Sequence, residues 1–152
     1  MLLTQHLLVG AAIGRHIESL PAVIILSFFS HYVLDMIPHR SMSHVKGYKE
    51  AGLRGVRKKE LLIKGLEPIL GISTAIVFIE MNSEYAGNMA IGALFGFLPD
   101  LFTFIIWKKD LKKLDKLVPR PGIKWYRQTK TWTWGLVTQL AVFIIASYAI
   151  FK

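Results

Sequence analysis

The chain has 152 residues, 53% of them hydrophobic, with a mean hydropathy of +0.41 and a net charge of +9. This length suffices for one domain, and long apolar runs between short polar stretches are typical of a multi-pass membrane protein. The absence of cysteine excludes disulfides and thiolate metal sites, and basic blocks beside apolar runs favour an anionic lipid surface over nucleic acid as partner.

Five apolar segments predict an all-α, polytopic membrane helix bundle with about five transmembrane helices in a single domain. The first segment is short for a span of about 20 residues, so it either extends to its basic end or packs as a half-helix inside the bundle. The second begins near Pro21 and ends before Pro38. The predicted helices cover residues 2–17, 21–37, 61–79, 88–107 and 132–151.

Two prolines are expected to interrupt later helices, Pro68 in the third and Pro99 in the fourth. Each follows or precedes a carboxylate residue, Glu67 or Asp100. Broken helices are tolerated in a membrane where the backbone lines a cavity walled by protein. The prolines therefore favour a cavity beside these two carboxylates.

The charge pattern predicts the orientation. Sixteen of the nineteen Lys and Arg residues lie in two loops, residues 40–60 and 108–130. Cytoplasmic loops carry an excess of basic residues. Both loops are therefore expected on the cytoplasmic side of the cell membrane, where they contact anionic lipid head groups, with the N-terminus inside and the C-terminus outside.

His31, Asp35 and His39 are spaced i, i+4, i+8, which on a helix would place them along one face. The predicted topology puts six residues of metal-ligand type at a similar, cytoplasmic-side depth. His16 falls at the opposite end and His44 in a loop, so neither is expected in the site. The six residues are His6, His31, Asp35, His39, Glu67 and Asp100.

A metal ion accounts for this concentration of charge. Carboxylates inside a bilayer cost roughly 2.5–3.5 kcal/mol each on insertion scales, and a divalent cation offsets their repulsion. Histidine and carboxylate ligands without sulfur suit zinc, and also manganese or iron. Six candidates leave room for one or two ions, or for one ion and a carboxylate that acts as general base.

Simpler interpretations remain open for the individual residues. Asp35 and His31 would also form a charge-paired contact within one helix. Asp100 would also cap a helix at a kink, and Glu67 would also pair with Lys64. Taken together, His31, Asp35, His39 and Asp100 favour the metal site.

Three short motifs resemble a known family. They are Thr4-Gln5-His6, the His-X-X-X-Asp-X-X-Pro-His block from His31 to His39, and Gly96-Phe97-Leu98-Pro99-Asp100. Together they resemble the membrane-bound, metal-dependent hydrolases of the YdjM-like type, which are similar to zinc-dependent phospholipase C. The resemblance implies hydrolysis as the reaction class and His6, His31, Asp35, His39 and Asp100 as metal-site positions.

The sequence thus predicts a metal-dependent hydrolase of a phosphoester or ester bond in a phospholipid or lipid-linked substrate. Asp100 is expected as a further ligand or the general base, with Glu67 as a second candidate for the base. Arg40 would bind a phosphate, or be a solvated loop residue. The alternatives are a metal-ion or proton transporter or channel, and a non-catalytic membrane adaptor with a structural metal.

Overall fold

A computed structural model describes residues 1–39, 58–108 and 132–152. These residues are nearly all helical, which confirms the all-α prediction, and each α-helix begins and ends within three residues of its predicted bounds. The predicted basic loops lie outside the described residues, except at their edges. The helices are α1 Leu3–His16, α2 Leu20–Met36, α3 Lys58–Glu80, α4 Ala86–Lys108 and α5 Trp132–Phe151, with a short 3₁₀ turn at Ser83–Tyr85 between α3 and α4.

The prolines act differently according to their position. Pro21 lies in the first turn of α2, and Ile37 is extended (φ −68°, ψ 132°) because the following Pro38 disfavours helical geometry before it. Pro68 and Pro99 instead lie inside α3 and α4, which continue through them. The predicted interruptions are therefore wrong: each proline removes one backbone hydrogen bond, and the helix persists on both sides.

Helix α1 lies at the centre of the bundle and contacts all four other helices. Its 14 residues give a length of about 21 Å, less than the roughly 30 Å of a bilayer's hydrocarbon core. Enclosure by the other helices agrees with the second alternative for this segment, a half-helix packed inside the bundle.

Glycines bring α1 and α4 into backbone contact. A Cβ added to Gly10 would lie 2.1 Å from the carbonyl oxygen of Gly92, and one added to Gly92 would lie 2.1 Å from that of Gly10. One turn away, a Cβ on Gly96 would lie 2.6 Å from the carbonyl oxygen of His6. This antiparallel contact places His6 one turn from Asp100 along the neighbouring helix.

The outer surface of the bundle is strongly apolar. Large apolar side chains on α2, α3 and α5 are exposed, while several polar side chains, among them His6, Ser27 and His31, are buried. Soluble monomers rarely expose a contiguous apolar surface on this scale. Exposed residues include Ile25, Phe29 and Val33 on α2, Ile69, Leu70 and Ile76 on α3, and Val137, Leu140, Ile144 and Ile145 on α5.

By length and composition, one helix in the described part of the chain can cross a membrane: Thr133–Phe151, of which 22% is buried. Gly65–Glu80 and Ser83–Phe102 qualify only as a pair, and they meet at an angle of 104°. Leu20–Met36 is apolar but shorter. The bundle of about five spans is thus not confirmed, because most of these helices fall short of the length or apolarity of an independent span.

Candidate metal centre

His6 lies where α1 approaches α4 most closely. Its side chain is fully buried, and neither ring nitrogen forms a hydrogen bond within the described residues. The ring stacks on that of His31, with 4.1 Å between the ring centroids and 27° between the planes. A buried imidazole without a hydrogen bond is costly, so His6 is a candidate metal ligand.

His31 comes from the last turns of α2 and is fixed by α4. Its Nδ1 donates a hydrogen bond of 3.1 Å to the carbonyl oxygen of Gly96. Because a carbonyl can only accept, Nδ1 carries the proton, and in a neutral ring Nε2 is left with a free lone pair. A backbone carbonyl that orients a histidine in this way is a common outer partner of metal ligands.

His39 also lies beside Asp35, but it follows the end of α2 instead of lying on the helix. The prediction that it continues the helical face of His31 and Asp35 is wrong, because α2 ends at Met36 and Pro38 follows. Its Nδ1 donates a hydrogen bond of 2.8 Å to the carbonyl oxygen of Ile37, and the side chain is fully buried. Its Nε2 lies 3.8 Å from Oδ1 of Asp35.

Asp35 is the centre of this cluster. Three imidazole Nε2 atoms lie near its carboxylate, at 3.4 Å for His6, 3.5 Å for His31 and 3.8 Å for His39. The amino group of Met1 also donates a hydrogen bond to its Oδ1. His31 presents the lone pair of Nε2 to Oδ2 of Asp35, which is also an acceptor, so a metal ion could bind between these two atoms.

Asp100 completes the cluster from α4. Its Oδ1 lies 3.8 Å from Nε2 of His31, and single ligand atoms of His6, His31 and Asp100 all lie within 4.8 Å of one another. Two ligands of a tetrahedral zinc ion lie roughly 3.3 Å apart, given bonds of 2.0–2.2 Å. These three residues are therefore a group that could hold a metal ion with small side-chain movements.

Glu67 contacts α1 rather than the imidazoles. Its Oε1 accepts hydrogen bonds from the backbone nitrogen of Thr4 at 2.9 Å and from the Thr4 hydroxyl at 2.7 Å. Leu2, the N-cap residue of α1, forms no side-chain capping bond. The carboxylate therefore satisfies a free amide in the first turn and lies at the positive end of the helix dipole.

The remaining predicted positions lie elsewhere. Nε2 of His16 is 2.7 Å from the carbonyl oxygen of Ala149, at the opposite end of α1, as its exclusion from the site predicted. Arg40 and His44 lie outside the described residues, so their predicted roles have no structural description.

Sequence reasoning did not assign Gly92 and Gly96, which position the site from α4. A signal was present: Gly92 and Gly96 have the same four-residue spacing as Gly10 and Gly14 on α1, and this spacing is typical of close contacts between membrane helices. What the spacing could not reveal is that the Gly96 carbonyl accepts the hydrogen bond from His31.

Comparison of the chain with protein-family models, with curated proteins and with solved structures finds no match.

Proposed function

We propose that the chain is an integral membrane, metal-dependent hydrolase that cleaves a phosphoester or ester bond of a lipid or lipid-linked substrate. The observation that carries this proposal is the convergence of His6, His31 and Asp100 from three different helices, with Asp35 and His39 beside them. Two carboxylates among three imidazoles in a largely apolar bundle carry more negative charge than the Met1 amino group on Asp35 offsets, and a bound cation would balance the rest.

The membrane location is supported by the apolar exterior of α2, α3 and α5 and by the length of α5. In the proposed arrangement α1 is enclosed by the other helices, so its short length is no obstacle. The basic segments, residues 40–60 and 108–130, face the cytoplasm and its anionic lipid head groups. The N-terminus and the candidate metal centre then lie on the cytoplasmic side, and the C-terminus lies outside.

The proposed ligands of a first ion are His6, His31 and Asp100, with zinc favoured by the two imidazoles and manganese or iron compatible with the same set. Asp35 and His39 offer donors for a second ion. If one ion is present, Asp35 lies beside its ligands and is proposed as the base that accepts a proton from water.

A bound divalent metal polarises the scissile ester or phosphoester group and makes water acidic enough to be deprotonated near neutral pH. The other residues of the site orient the metal ligands and the substrate. The carbonyls of Gly96 and Ile37 fix the tautomers of His31 and His39. Asp100 is half-buried, so it is the ligand nearest to an entering substrate, and Arg40, next to His39 in the chain, is proposed to bind the phosphate.

A closed site is favoured over a transport pathway. An ion pathway needs polar groups at successive depths across the bundle. Beyond the cluster, α1 and α4 meet at the backbone contact of Gly10 with Gly92, and Leu8, Ala11 and Met89 nearby are buried and apolar. This packing supports a pocket that opens toward one end.

Elemental analysis of the protein purified in detergent tests the metal site. We expect about one or two zinc, manganese or iron ions per chain, and their loss in the double variant His6→Ala, Asp100→Ala and in the triple variant His31→Ala, Asp35→Ala, His39→Ala. His16→Ala removes a histidine at the far end of α1 and serves as the matched control. Metal contents that are equal in all four proteins would refute the site.

The reaction is tested by release of the head group from a radiolabelled phospholipid, in parallel with metal uptake into proteoliposomes. We expect metal-dependent release by the native protein and by His16→Ala, and no release by the two multiple variants. Uptake without release would replace the hydrolase by a transporter. Metal binding without either activity would leave a membrane adaptor with a structural ion.

A further inference from the structure

A hydroxyl group of α5 reaches the segment that carries His39. Oγ1 of Thr138 lies 2.7 Å from the carbonyl oxygen of Pro38. It also lies 3.1 Å and 3.2 Å from the carbonyl oxygens of Trp134 and Gly135 in its own helix. A hydroxyl has one proton to donate, and the contact with Pro38 is the shortest of the three. Thr138 therefore donates to another part of the chain in place of the usual bond back along its own helix.

The segment after α2 depends on such contacts, because it is not helical. Helix α2 ends at Met36, and the carbonyl groups at and past a helix end have no partner within the helix. Ile37 is extended, and the ring of Pro38 restricts the backbone that follows. An unpaired carbonyl group is costly in an apolar bundle, so the hydroxyl of Thr138 satisfies a group that α2 leaves open.

The side chain of His39 is bound to the same segment. Its Nδ1 donates a hydrogen bond of 2.8 Å to the carbonyl oxygen of Ile37, so the ring and the backbone of residues 37–39 form one small unit. Nε2 of this ring lies 3.8 Å from Oδ1 of Asp35. A shift of the Pro38 carbonyl group would therefore move the imidazole relative to the carboxylate.

The next residue of α5 contacts the neighbour of a second imidazole. The carbonyl oxygen of Gln139 accepts a hydrogen bond of 3.2 Å from Nε2 of Gln5, which directly precedes His6. Both glutamine side chains are buried. One turn of α5 thus bonds to the chain neighbours of two clustered imidazoles, although the side chains of the cluster come from other parts of the chain.

We propose that Thr138 is a positioning residue of the candidate metal centre. Its hydroxyl holds the carbonyl group of Pro38 and so keeps Nε2 of His39 beside Asp35, where this imidazole binds a divalent metal ion. The inference rests on the proposed function, since without a metal ion the bond would only join α5 to the end of α2. It adds α5 to the elements that determine metal affinity.

Cobalt binding tests the proposal, because Co²⁺ accepts the same nitrogen and oxygen ligands as zinc and its visible spectrum reports them. Chelator-treated protein in detergent is titrated with Co²⁺, and His39→Ala defines the part of the binding that depends on this imidazole. Thr138→Val keeps the shape of the side chain and removes the hydroxyl. We expect it to weaken the His39-dependent binding by about tenfold, the lower end for residues that support a metal ligand. Thr138→Ser, which restores the hydroxyl, should restore the binding and the spectrum.

Thr74→Val on α3 is the matched control. The hydroxyl of Thr74 donates to the carbonyl oxygen of Leu70 in its own helix, at 2.8 Å. Its removal therefore costs a bond along one helix and should leave cobalt binding unchanged. Equal cobalt affinities in Thr138→Val and Thr74→Val would overturn the positioning role and leave the metal centre standing.

A second measurement needs no metal. The amide of Ile37 donates a hydrogen bond of 3.1 Å to the carbonyl oxygen of Leu34, at the start of the segment that Thr138 holds. In the metal-free protein, hydrogen exchange of this amide should be about five to ten times faster in Thr138→Val than in Thr74→Val, since one hydrogen bond no longer opposes local opening. Equal exchange rates would show that Thr138 does not hold the segment, and would overturn the proposal.

The remaining outcomes separate this proposal from the proposed function. Cobalt binding that His39→Ala leaves unchanged would remove His39 from the metal ligands and overturn the positioning role, while a centre of His6, His31 and Asp100 would stand. Absence of cobalt binding by the native protein would overturn the metal-dependent function, and faster exchange in Thr138→Val would then mark a purely structural bond.

Discussion

Gly92 offers a direct test of how α1 and α4 position the candidate metal centre. The methyl group in Gly92→Ala would lie 2.1 Å from the carbonyl oxygen of Gly10, whereas a carbon–oxygen contact of this kind normally measures about 3.3 Å. The obstacle is backbone, so it cannot rotate away. The two helices must therefore separate by about 1 Å.

The expected change in the free energy of unfolding is the sum of two opposing effects. Overpacking of a tight contact costs typically about 1–3 kcal/mol, and we expect the upper end because the neighbour is rigid. Replacing a helical glycine by alanine gains about 1 kcal/mol of helix propensity. The net expectation is a loss of about 2 kcal/mol in the free energy of unfolding. Gly65→Ala in α3 meets no atom within 4 Å, so it should show only the gain.

The assay is equilibrium unfolding of both variants in mixed detergent micelles, with metal content measured on the same samples. Gly92→Ala should be less stable than Gly65→Ala by about 3 kcal/mol, more than a hundredfold in the unfolding equilibrium. It should also bind metal more weakly, because His6 moves with α1 away from His31 and Asp100. Equal stability and equal metal content in the two variants would refute the backbone contact between α1 and α4.

Three further predictions concern the residues of the cluster and the residues that hold α1 in place. Glu67→Ala should lower the free energy of unfolding by about 1 kcal/mol, because α1 loses its cap. Glu67→Gln keeps an acceptor for Thr4, so it should lower the free energy of unfolding less. A large drop in hydrolysis by Glu67→Gln at unchanged stability would instead show that Glu67 is the general base. Adding zinc at a hundred times its Kd to chelator-treated protein should raise the free energy of unfolding by about 2.7 kcal/mol and the melting temperature by about 5–10 °C. An unchanged melting temperature would contradict binding of zinc to the folded state. Asn88→Ala should lower the free energy of unfolding by about 1–2 kcal/mol, because Asn88 Nδ2 donates to the carbonyl oxygens of Ile17 and Glu18 just past the end of α1. The metal content should not change. Loss of metal in this variant would show that the two ends of α1 are coupled.

Much of the architecture could be predicted from local pattern. Apolar runs and the prolines at 21 and 38 set the helix bounds, because proline has strict backbone requirements at the start and just beyond the end of a helix. The predicted interruptions at Pro68 and Pro99 were wrong, because whether an internal proline breaks a helix depends on the packing around it. The prediction of about five spans stays a prediction, because α1 is short and surrounded by other helices, and one described helix passes as an independent span.

The proximity of five ligand-type residues was predictable from the sequence, but their arrangement was not. The predicted topology placed the ligand-type residues at a similar depth, and His6, His31, Asp35, His39 and Asp100 do lie close together in the described structure. The function of Glu67 at the first turn of α1 could not be read from sequence, because its partner Thr4 is 63 residues away. The tautomers of His31 and His39 likewise depend on carbonyl groups that only the fold brings near.

The central place of α1 has a consequence for how the protein is made. During synthesis α1 leaves the ribosome before α2, α3, α4 and α5, yet its buried surface is completed by α4 and α5. Until those later helices arrive, its polar face and His6 have no permanent neighbours. At the proposed metal site, His6 and His31 can meet Asp100 only once α4 has been made, so a nascent chain arrested before α4 should remain metal-free.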